Sequence, residues 1–566
     1  MAAAAGLPKT RRLVRFFCSI AGLAGNLRKM SAADSPASVW VRHCEQDTRD
    51  GVEGSVSGTI PRWLNGNLIR NGPGGKKVGE HHYNHLFDGL SLLHLVNITD
   101  GKAKYISRYL ESETYKLNHR ANRIVVSEFG TAGVPDPCLS LFDKFSTYFK
   151  PALTQKRTDN CLVNVMQVKD ELVAMTELST VRVVDPNTLE TKPELVRYTD
   201  YVSVQRVTAH PHLEGNVAYN LAFSTGPSGP PKFAIISLAD GKIQNSKIVA
   251  SVPCRWKFTP PYLHSFGITD NFYIIAETPM AIDARLLALP AFFGMSSFNA
   301  LRYFNGEKTK FRIMSRETGE EIKVNAYAPG FFNFHYLNCY EKDDMLVIDV
   351  CAADDNLIEY LKMENIKKPA DDMSRKMCNV EPRRYIIPVG NLDSSPVNVD
   401  LLKDFPDAKI GENRATAVKE ANGELMVTGV RLGEVFMELP RINYRYNKKQ
   451  YTYAYGASVS DYKLKMFDFD GIVKLNVTNG ETTFWQDQDY FSSEPVFVET
   501  PGGVEEDDGV LLSILISKNK PKELALIVLN AQDMKEMARV DFIASGAVTS
   551  TFHGQFIASK GEVHAY

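Results

Sequence analysis

Histidine and glutamate in apolar settings are the residues of this sequence whose types could carry chemistry. Four of its 12 histidines lie in strand-like or apolar runs. They are His210 in Thr208-Ala-His-Pro-His212, His264 in Tyr262-Leu-His-Ser-Phe-Gly267, His335 in Phe332-Asn-Phe-His-Tyr-Leu-Asn338 and His553 in Thr551-Phe-His-Gly-Gln-Phe556. Imidazole binds zinc, copper and iron, and its neutral form leaves the charge of a divalent ion uncancelled. Taken singly, such a histidine is more often a hydrogen-bonded core residue. The intervals of 54, 71 and 218 residues match no local metal motif. His210 and His212 are spaced to share a strand face, but Pro211 between them argues against a two-histidine zinc site.

Three glutamates add to the pattern: Glu177 after Leu172-Val-Ala-Met-Thr176, Glu438 in Phe436-Met-Glu-Leu-Pro440, and Glu494 in Ser493-Glu-Pro-Val-Phe497. A buried carboxylate is costly unless it is paired or hydrogen-bonded. Metal-bound histidines commonly donate their second ring N–H to such a group, which fixes ring orientation. Any one of these glutamates alone is accounted for by a turn cap or an arginine partner. Beside four histidines, the three together favour a metal centre.

The elements that must hold these residues read as short strands. Arg123-Ile-Val-Val-Ser127, Glu171-Leu-Val-Ala-Met175, Phe272-Tyr-Ile-Ile-Ala276, Met345-Leu-Val-Ile-Asp349 and Val510–Ile516 are β-branched or apolar runs. The turn pairs Asp100-Gly101, Asp240-Gly241, Thr318-Gly319, Asn422-Gly423, Asn479-Gly480 and Asp508-Gly509 separate many such runs. An antiparallel all-β chain of this size must manage its sheet edges, and a β-propeller does so by repetition around an axis. No sequence period fixes a blade count. Asn71-Gly-Pro-Gly74 lacks the strand–helix context of a nucleotide loop and reads as a turn. GxxxxGK[ST], HExxH and GxSxG are absent.

Composition bounds the rest. The 566 residues carry 65 Lys and Arg against 67 Asp and Glu, so no broad positive field attracts nucleic acid. The eight cysteines are scattered without a CxxC, which points to a reducing compartment. The stretch from Leu286 to Phe304 is interrupted by Pro290, Asn299 and Arg302, so no membrane span is expected. Two apolar stretches still suit contact with a membrane surface: Leu141, Phe142, Phe145 and Phe149 at helical spacing after Pro137, and Leu286 to Phe298 with Phe292 and Phe293. A helix packed on the core is the alternative for the first. Residues 1–37 form a basic tail with no acidic residue before Asp34, which suits a mitochondrial targeting segment or a disordered tail. Residues 38–566 are expected to form one domain.

From about Val39 to Phe556 the sequence resembles the carotenoid cleavage oxygenase family. The resemblance rests on the histidine and glutamate motifs together with Trp63-Leu-Asn-Gly-Asn-Leu-Ile-Arg-Asn-Gly-Pro-Gly74, His85-Leu-Phe-Asp-Gly89, Glu128-Phe-Gly-Thr131, Pro135-Asp-Pro-Cys138 and Glu505-Glu-Asp-Asp-Gly509. It implies a seven-bladed β-propeller capped by loops and short helices, with non-haem Fe(II) on its axis. The implied iron ligands are His210, His264, His335 and His553, with Glu177, Glu438 and Glu494 behind them and one histidine without a glutamate. Val163 aligns with a position flanking the open side of the iron, although an ordinary core valine explains it equally well. Phe332, Phe334, Tyr336 and Phe552 flank ligands and are candidates for the substrate tunnel. Cys138 stands where a relative carries a palmitoylated cysteine.

Within the family, Ser38-Val-Trp-Val-Arg-His-Cys44 and Val252-Pro-Cys-Arg-Trp-Lys257 most resemble the insect isomerooxygenase branch. That branch implies O2-dependent cleavage of the central 15,15′ double bond of zeaxanthin, β-carotene or a similar carotenoid, with trans-to-11-cis isomerisation of one half. Cleavage at 15,15′ or 9′,10′ without isomerisation, retinyl-ester isomerohydrolysis and simple carotenoid binding are the alternatives. Retention of all seven histidines and glutamates argues against the last. The expected location is cytoplasmic and peripheral to a membrane, for which the endoplasmic reticulum is a candidate.

Overall fold

The computed structural model describes residues 37–134, 157–169, 171–225, 230–287, 296–368, 378–460, 469–559 and 563–564. Its described strands form seven sheets of four to six strands, besides three two-stranded ribbons. The sheets follow one another along the chain and touch in a closed circuit. The first is built on Gly66–Gly75, Leu90–Thr99 and Lys102–Tyr109. It meets the second through Asn164–Val168. There the Asn164 amide donates to Ala209 O at 2.8 Å, joining the second sheet to the third. Ser246–Pro253 against Thr309–Ser315 joins the third to the fourth, and Gly267–Ile268 against Phe332–Lys342 joins the fourth to the fifth. Phe332–Lys342 also meets Glu438–Arg441 of the sixth, and Tyr455 of the sixth stacks on Phe497 of the seventh.

The two ends of the chain close the circuit. Gly554–Ala558 pairs antiparallel with Gly66–Gly75, placing Gly554 opposite Arg70, and Ser55–Gly58 pairs with Glu536–Ile543. Ladders that cross between the first and last strands leave the ring no open edge, which is how a propeller satisfies its backbone donors. Inner strands are buried on both faces, so they read as unbroken apolar runs: every residue of Gly509–Ser517 is buried. The more peripheral Lys102–Tyr109 alternates exposed and buried. Two of the turn pairs adopt the geometry their sequence requires at both residues. Asp100 and Gly101 have φ of 50° and 74°, and Asp240 and Gly241 of 56° and 65°, the doubly left-handed geometry that suits the twist of a hairpin.

Three sequence expectations need correction. Arg123–Ser127 is not a strand; the Asn118 side-chain oxygen accepts the N–H groups of Val125 (2.9 Å) and Val126 (3.2 Å), replacing a neighbouring strand. Asn118 lies on the helix Glu113–Ala121, which Ser112 caps by accepting from Tyr115 N. Asn71–Gly74 is not a turn but the end of the buried strand Gly66–Gly75. At Gly72 a Cβ would stand 2.6 Å from Ser550 O, so the glycine permits close approach of two backbones. Gly509 makes no left-handed turn either. It opens a strand, where a Cβ would lie 2.5 Å from the Phe497 ring.

No helix among the described residues is long and apolar enough to cross a membrane. The expectations for residues 1–36, for Cys138, Leu141, Phe142, Phe145 and Phe149, and for Phe292 and Phe293 fall outside the described residues.

Candidate metal centre

Three of the four histidines sit beside the start of a strand. His210 precedes His212–Glu214, His264 precedes Gly267–Ile268, and His553 precedes Gly554–Ala558. His335 lies inside Phe332–Lys342 where the pairing slips between Asn333 and Tyr336, a bulge that re-aims its side chain. Residues far apart in sequence thereby converge. Their four ligand nitrogens all lie within 4.8 Å of one another. The Nε2 separations are 2.9 Å for His210–His264, 3.2 Å for His264–His335 and 3.2 Å for His335–His553. Imidazole nitrogens sit roughly 2.1 Å from a divalent first-row ion, so ligands at right angles lie about 3.0 Å apart and tetrahedral ones about 3.4 Å apart. The observed spacings fit that range.

The outward nitrogens complete the fit. His264 Nδ1–H donates to Glu177, His335 Nδ1–H to Glu438 Oε2 at 2.5 Å, and His553 Nδ1–H to Glu494 Oε1 at 2.8 Å. Holding the proton on Nδ1 leaves the Nε2 lone pair turned inward. Among the described residues no carboxylate pairs with His210. Burial, reinforced by the neighbouring imidazoles, holds His210 well below its ordinary value, and burial does the same for His335. Burial pushes His553 down to about 3. These rings are neutral at physiological pH, the state a metal requires.

The three carboxylates differ in their surroundings. Burial opposes ionisation of Glu494, but Arg441 and Arg70 outweigh it and hold the group well below the usual range. Glu177 is likewise lowered against the pull of burial, by His264 and Arg206 and by the Tyr262 hydroxyl, which donates to its oxygens at 2.8 Å. Glu438 accepts from Leu439 N at 2.8 Å, and its Oε1 is buried without a partner; burial pushes it up to about 7. Leu439 has φ of 52°, a left-handed conformation rare for a leucine, beside an irregularity in the pairing between Glu438 and Arg441. Both sequence readings of these glutamates thus hold together, since two of them pair with arginine and also receive a histidine N–H.

Aromatic rings wall the cluster. Phe334 meets the His264 ring edge-on at 4.7 Å, and Phe332 meets Phe334 edge-on at 4.8 Å and stacks on Tyr262 at 6.2 Å. Phe87 joins Phe552 at 5.5 Å and Phe334 at 5.9 Å. From Phe87 the rings continue outward through His85, Phe129 and Phe298. Val163 is buried in the same apolar core. Tyr336 is the exception among the tunnel candidates. Its hydroxyl accepts Ala276 N–H at 2.8 Å in the neighbouring sheet, because the register slip between Asn333 and Tyr336 breaks the alternation that would set it on the face of Phe332 and Phe334. His212 also stays apart and donates from Nε2 to Phe266 O at 3.0 Å. Phe87, Tyr262, Arg206, Arg70 and Arg441 were not singled out by sequence. Phe87 lies inside the quoted run His85–Gly89, and that run was its only signal.

Comparison with known proteins gives the same picture. Residues 41–558 match the family model described as retinal pigment epithelial membrane protein. The chain is 36% identical over 521 residues to human β,β-carotene 15,15′-dioxygenase, covering 89% of this chain and 92% of that protein. It is 34% identical over 540 residues to the carotenoid isomerooxygenase of Galleria mellonella, covering 93% and 98%. The crystal structure of cobalt-substituted Synechocystis apocarotenoid oxygenase (ACO) superposes with a TM-score of 0.73 at 19% identity, covering 94% of this chain and all of that one.

Proposed function

The chain belongs to the retinal pigment epithelial membrane protein family of carotenoid oxygenases, and from that premise we propose that it cleaves the central 15,15′ double bond of a carotenoid to retinoid aldehydes, with isomerisation of one half to the 11-cis form. The observation that carries this reading is the convergence of four histidines, three oriented by glutamates, against a wall of phenylalanines. His210, His264, His335 and His553 would hold Fe(II), which supplies activation of O2 when bound. A donor set of imidazoles without a thiolate fits such an ion.

The chain's own residues do the rest. Phe334, Phe332, Phe552 and Phe87 present aromatic faces and edges to an apolar polyene and exclude water from the reacting bond. The position of these rings along the polyene sets which double bond stands at the metal. Glu177, Glu438 and Glu494 keep the imidazoles in one tautomer and orientation.

Membrane contact is part of the proposal. Phe129 O accepts both Ser297 Oγ (3.0 Å) and Phe298 N (2.8 Å), and the Thr158 hydroxyl donates to Glu128 at 2.6 Å. The described residues near the ends of these two apolar runs of the sequence, Glu128 and Phe129, Thr158, and Ser297 and Phe298, therefore lie close together, next to the ring path that leads to the histidines. Two such stretches, with Cys138, Leu141, Phe142, Phe145, Phe149, Phe292 and Phe293, would form one monotopic surface through which a lipid-dissolved substrate enters.

The test of the metal centre is direct. Protein reconstituted with Fe(II) should bind one equivalent and turn over carotenoid, whereas His264→Ala should lose both. Turnover by His264→Ala at the wild-type rate would refute the ligand assignment.

A further inference from the structure

The last ligand is held by a device on the far side of its glutamate. Arg70, on Gly66–Gly75, and Arg441, at the end of Glu438–Arg441, approach His553 from two different sheets. Both are almost fully buried, at 1% and 4% exposure. Both pair with Glu494 Oε2, Arg441 at 2.8 Å, while Glu494 Oε1 receives the His553 ring. Each arginine also binds one of the two carbonyls that flank the ligand. Arg70 Nη2 donates to Phe552 O at 2.7 Å, and Arg441 Nη2 donates to Gly554 O at 2.8 Å. Asn71 completes the grip with backbone bonds on both sides, its N–H to His553 O at 2.9 Å and its carbonyl from Phe552 N at 2.8 Å.

Burying two guanidiniums around one carboxylate is expensive and adds little stability compared with apolar packing. What the arrangement supplies is geometry, because planar donors reach the side chain and the peptide on either side at once. The other two carboxylates lack this. Glu177 has one partly exposed arginine, and no cation pairs with Glu438 among the described residues.

We propose that Arg70 and Arg441 are positioning residues for the metal centre, fixing the place and Nδ1–H tautomer of His553 by clamping Glu494 and the Phe552 and Gly554 carbonyls. The proposal rests on the four-histidine reading, and the experiment separates the two. Co(II), whose visible spectrum reports ligand geometry, is titrated into Arg441→Met, Arg441→Lys and Arg70→Lys, with His264→Ala and Arg384→Met as controls. Arg384 forms an equally buried pair with Asp349, at 2.8 Å to each oxygen, away from the histidines.

Arg441→Met should bind Co(II) about 10- to 100-fold more weakly, the range for losing an outer-shell partner. Its bands should be displaced, and kcat of the iron form should fall with little change in KM. Arg384→Met should lower the melting temperature and leave Co(II) affinity and bands unchanged. If Arg441→Met does not fold, the lysine variants decide: they keep the charge without the fork, and should recover affinity to within a few-fold with displaced bands. Wild-type affinity and bands in the folded arginine variants, with binding lost in His264→Ala, would overturn the clamp alone. Undiminished binding by His264→Ala would overturn the metal centre beneath it.

Discussion

Glu438 accepts the Nδ1–H of His335 at 2.5 Å while its other oxygen is buried with no partner, and in this it differs from Glu494, whose two oxygens are both engaged. The two glutamates should therefore respond differently to the same substitution. Glu438→Gln keeps the shape and removes a charge that no cation balances, so its effect should fall on the metal, weakening binding about 10- to 100-fold. Glu494→Gln removes a charge that two buried arginines face. It should cost stability as well, on the order of 3–5 kcal/mol, the price of leaving buried charge uncompensated. Metal titration and urea denaturation of both variants check this. Equal stability loss in the two would contradict the assigned surroundings.

Phe87 touches Phe552 and Phe334 but no histidine ligand. Phe87→Ala should leave metal content intact. Losing one ring contact worth about 1 kcal/mol should raise KM for carotenoid about fivefold. Opening the wall should also let the polyene shift, so apocarotenals from neighbouring bonds should join the central products. Chromatography of products and metal analysis of the same sample test both parts; loss of metal would place Phe87 in a different role.

Lys76 is 3% exposed, and its amine has no hydrogen-bond partner. Burial, partly countered by Asp88, pushes it down to about 7. An unfolded lysine keeps its proton up to a pH near 10.5, so between pH 7 and 10.5 this site binds more protons in the unfolded chain, and the contribution of Lys76 to stability rises with pH. Lys76→Met removes the buried amine. It should stabilise the protein by roughly 1–3 kcal/mol near pH 7, with the gain shrinking as pH approaches 10. Urea denaturation at pH 7 and pH 9.5 measures it, and a gain that grows with pH would show the sign to be wrong.

The histidines and glutamates that the fold brings together were legible in the sequence because such a residue in an apolar run is costly without a partner, and that cost is local. What clamps them was not. Arg70 immediately precedes the glycine-rich run Asn71-Gly-Pro-Gly74 that reads as a turn, and its partner Glu494 is 424 residues away. The ladder that places Arg70 opposite Gly554 is equally remote, while the glycine-rich run itself is a strand through its pairing with residues 91–93. Arg123–Ser127 misled for a related reason, since a β-branched run specifies an extended backbone but not what satisfies its N–H groups; here a single amide side chain does. Tyr336 shares the strand parity of Phe332 and Phe334 yet faces the neighbouring sheet, because a bulge between Asn333 and Tyr336, which no local pattern announces, breaks the alternation.

The most direct measurement is a product analysis of iron-loaded protein supplied with β-carotene or zeaxanthin, in air and under argon, resolving geometric isomers. Retinoid aldehydes formed only in air, in equal amounts of 11-cis and all-trans, are the expected result. Only all-trans aldehyde would keep the central cleavage and remove the isomerisation. No cleavage in air, with 11-cis-retinol formed from added retinyl ester, would contradict carotenoid cleavage at this centre.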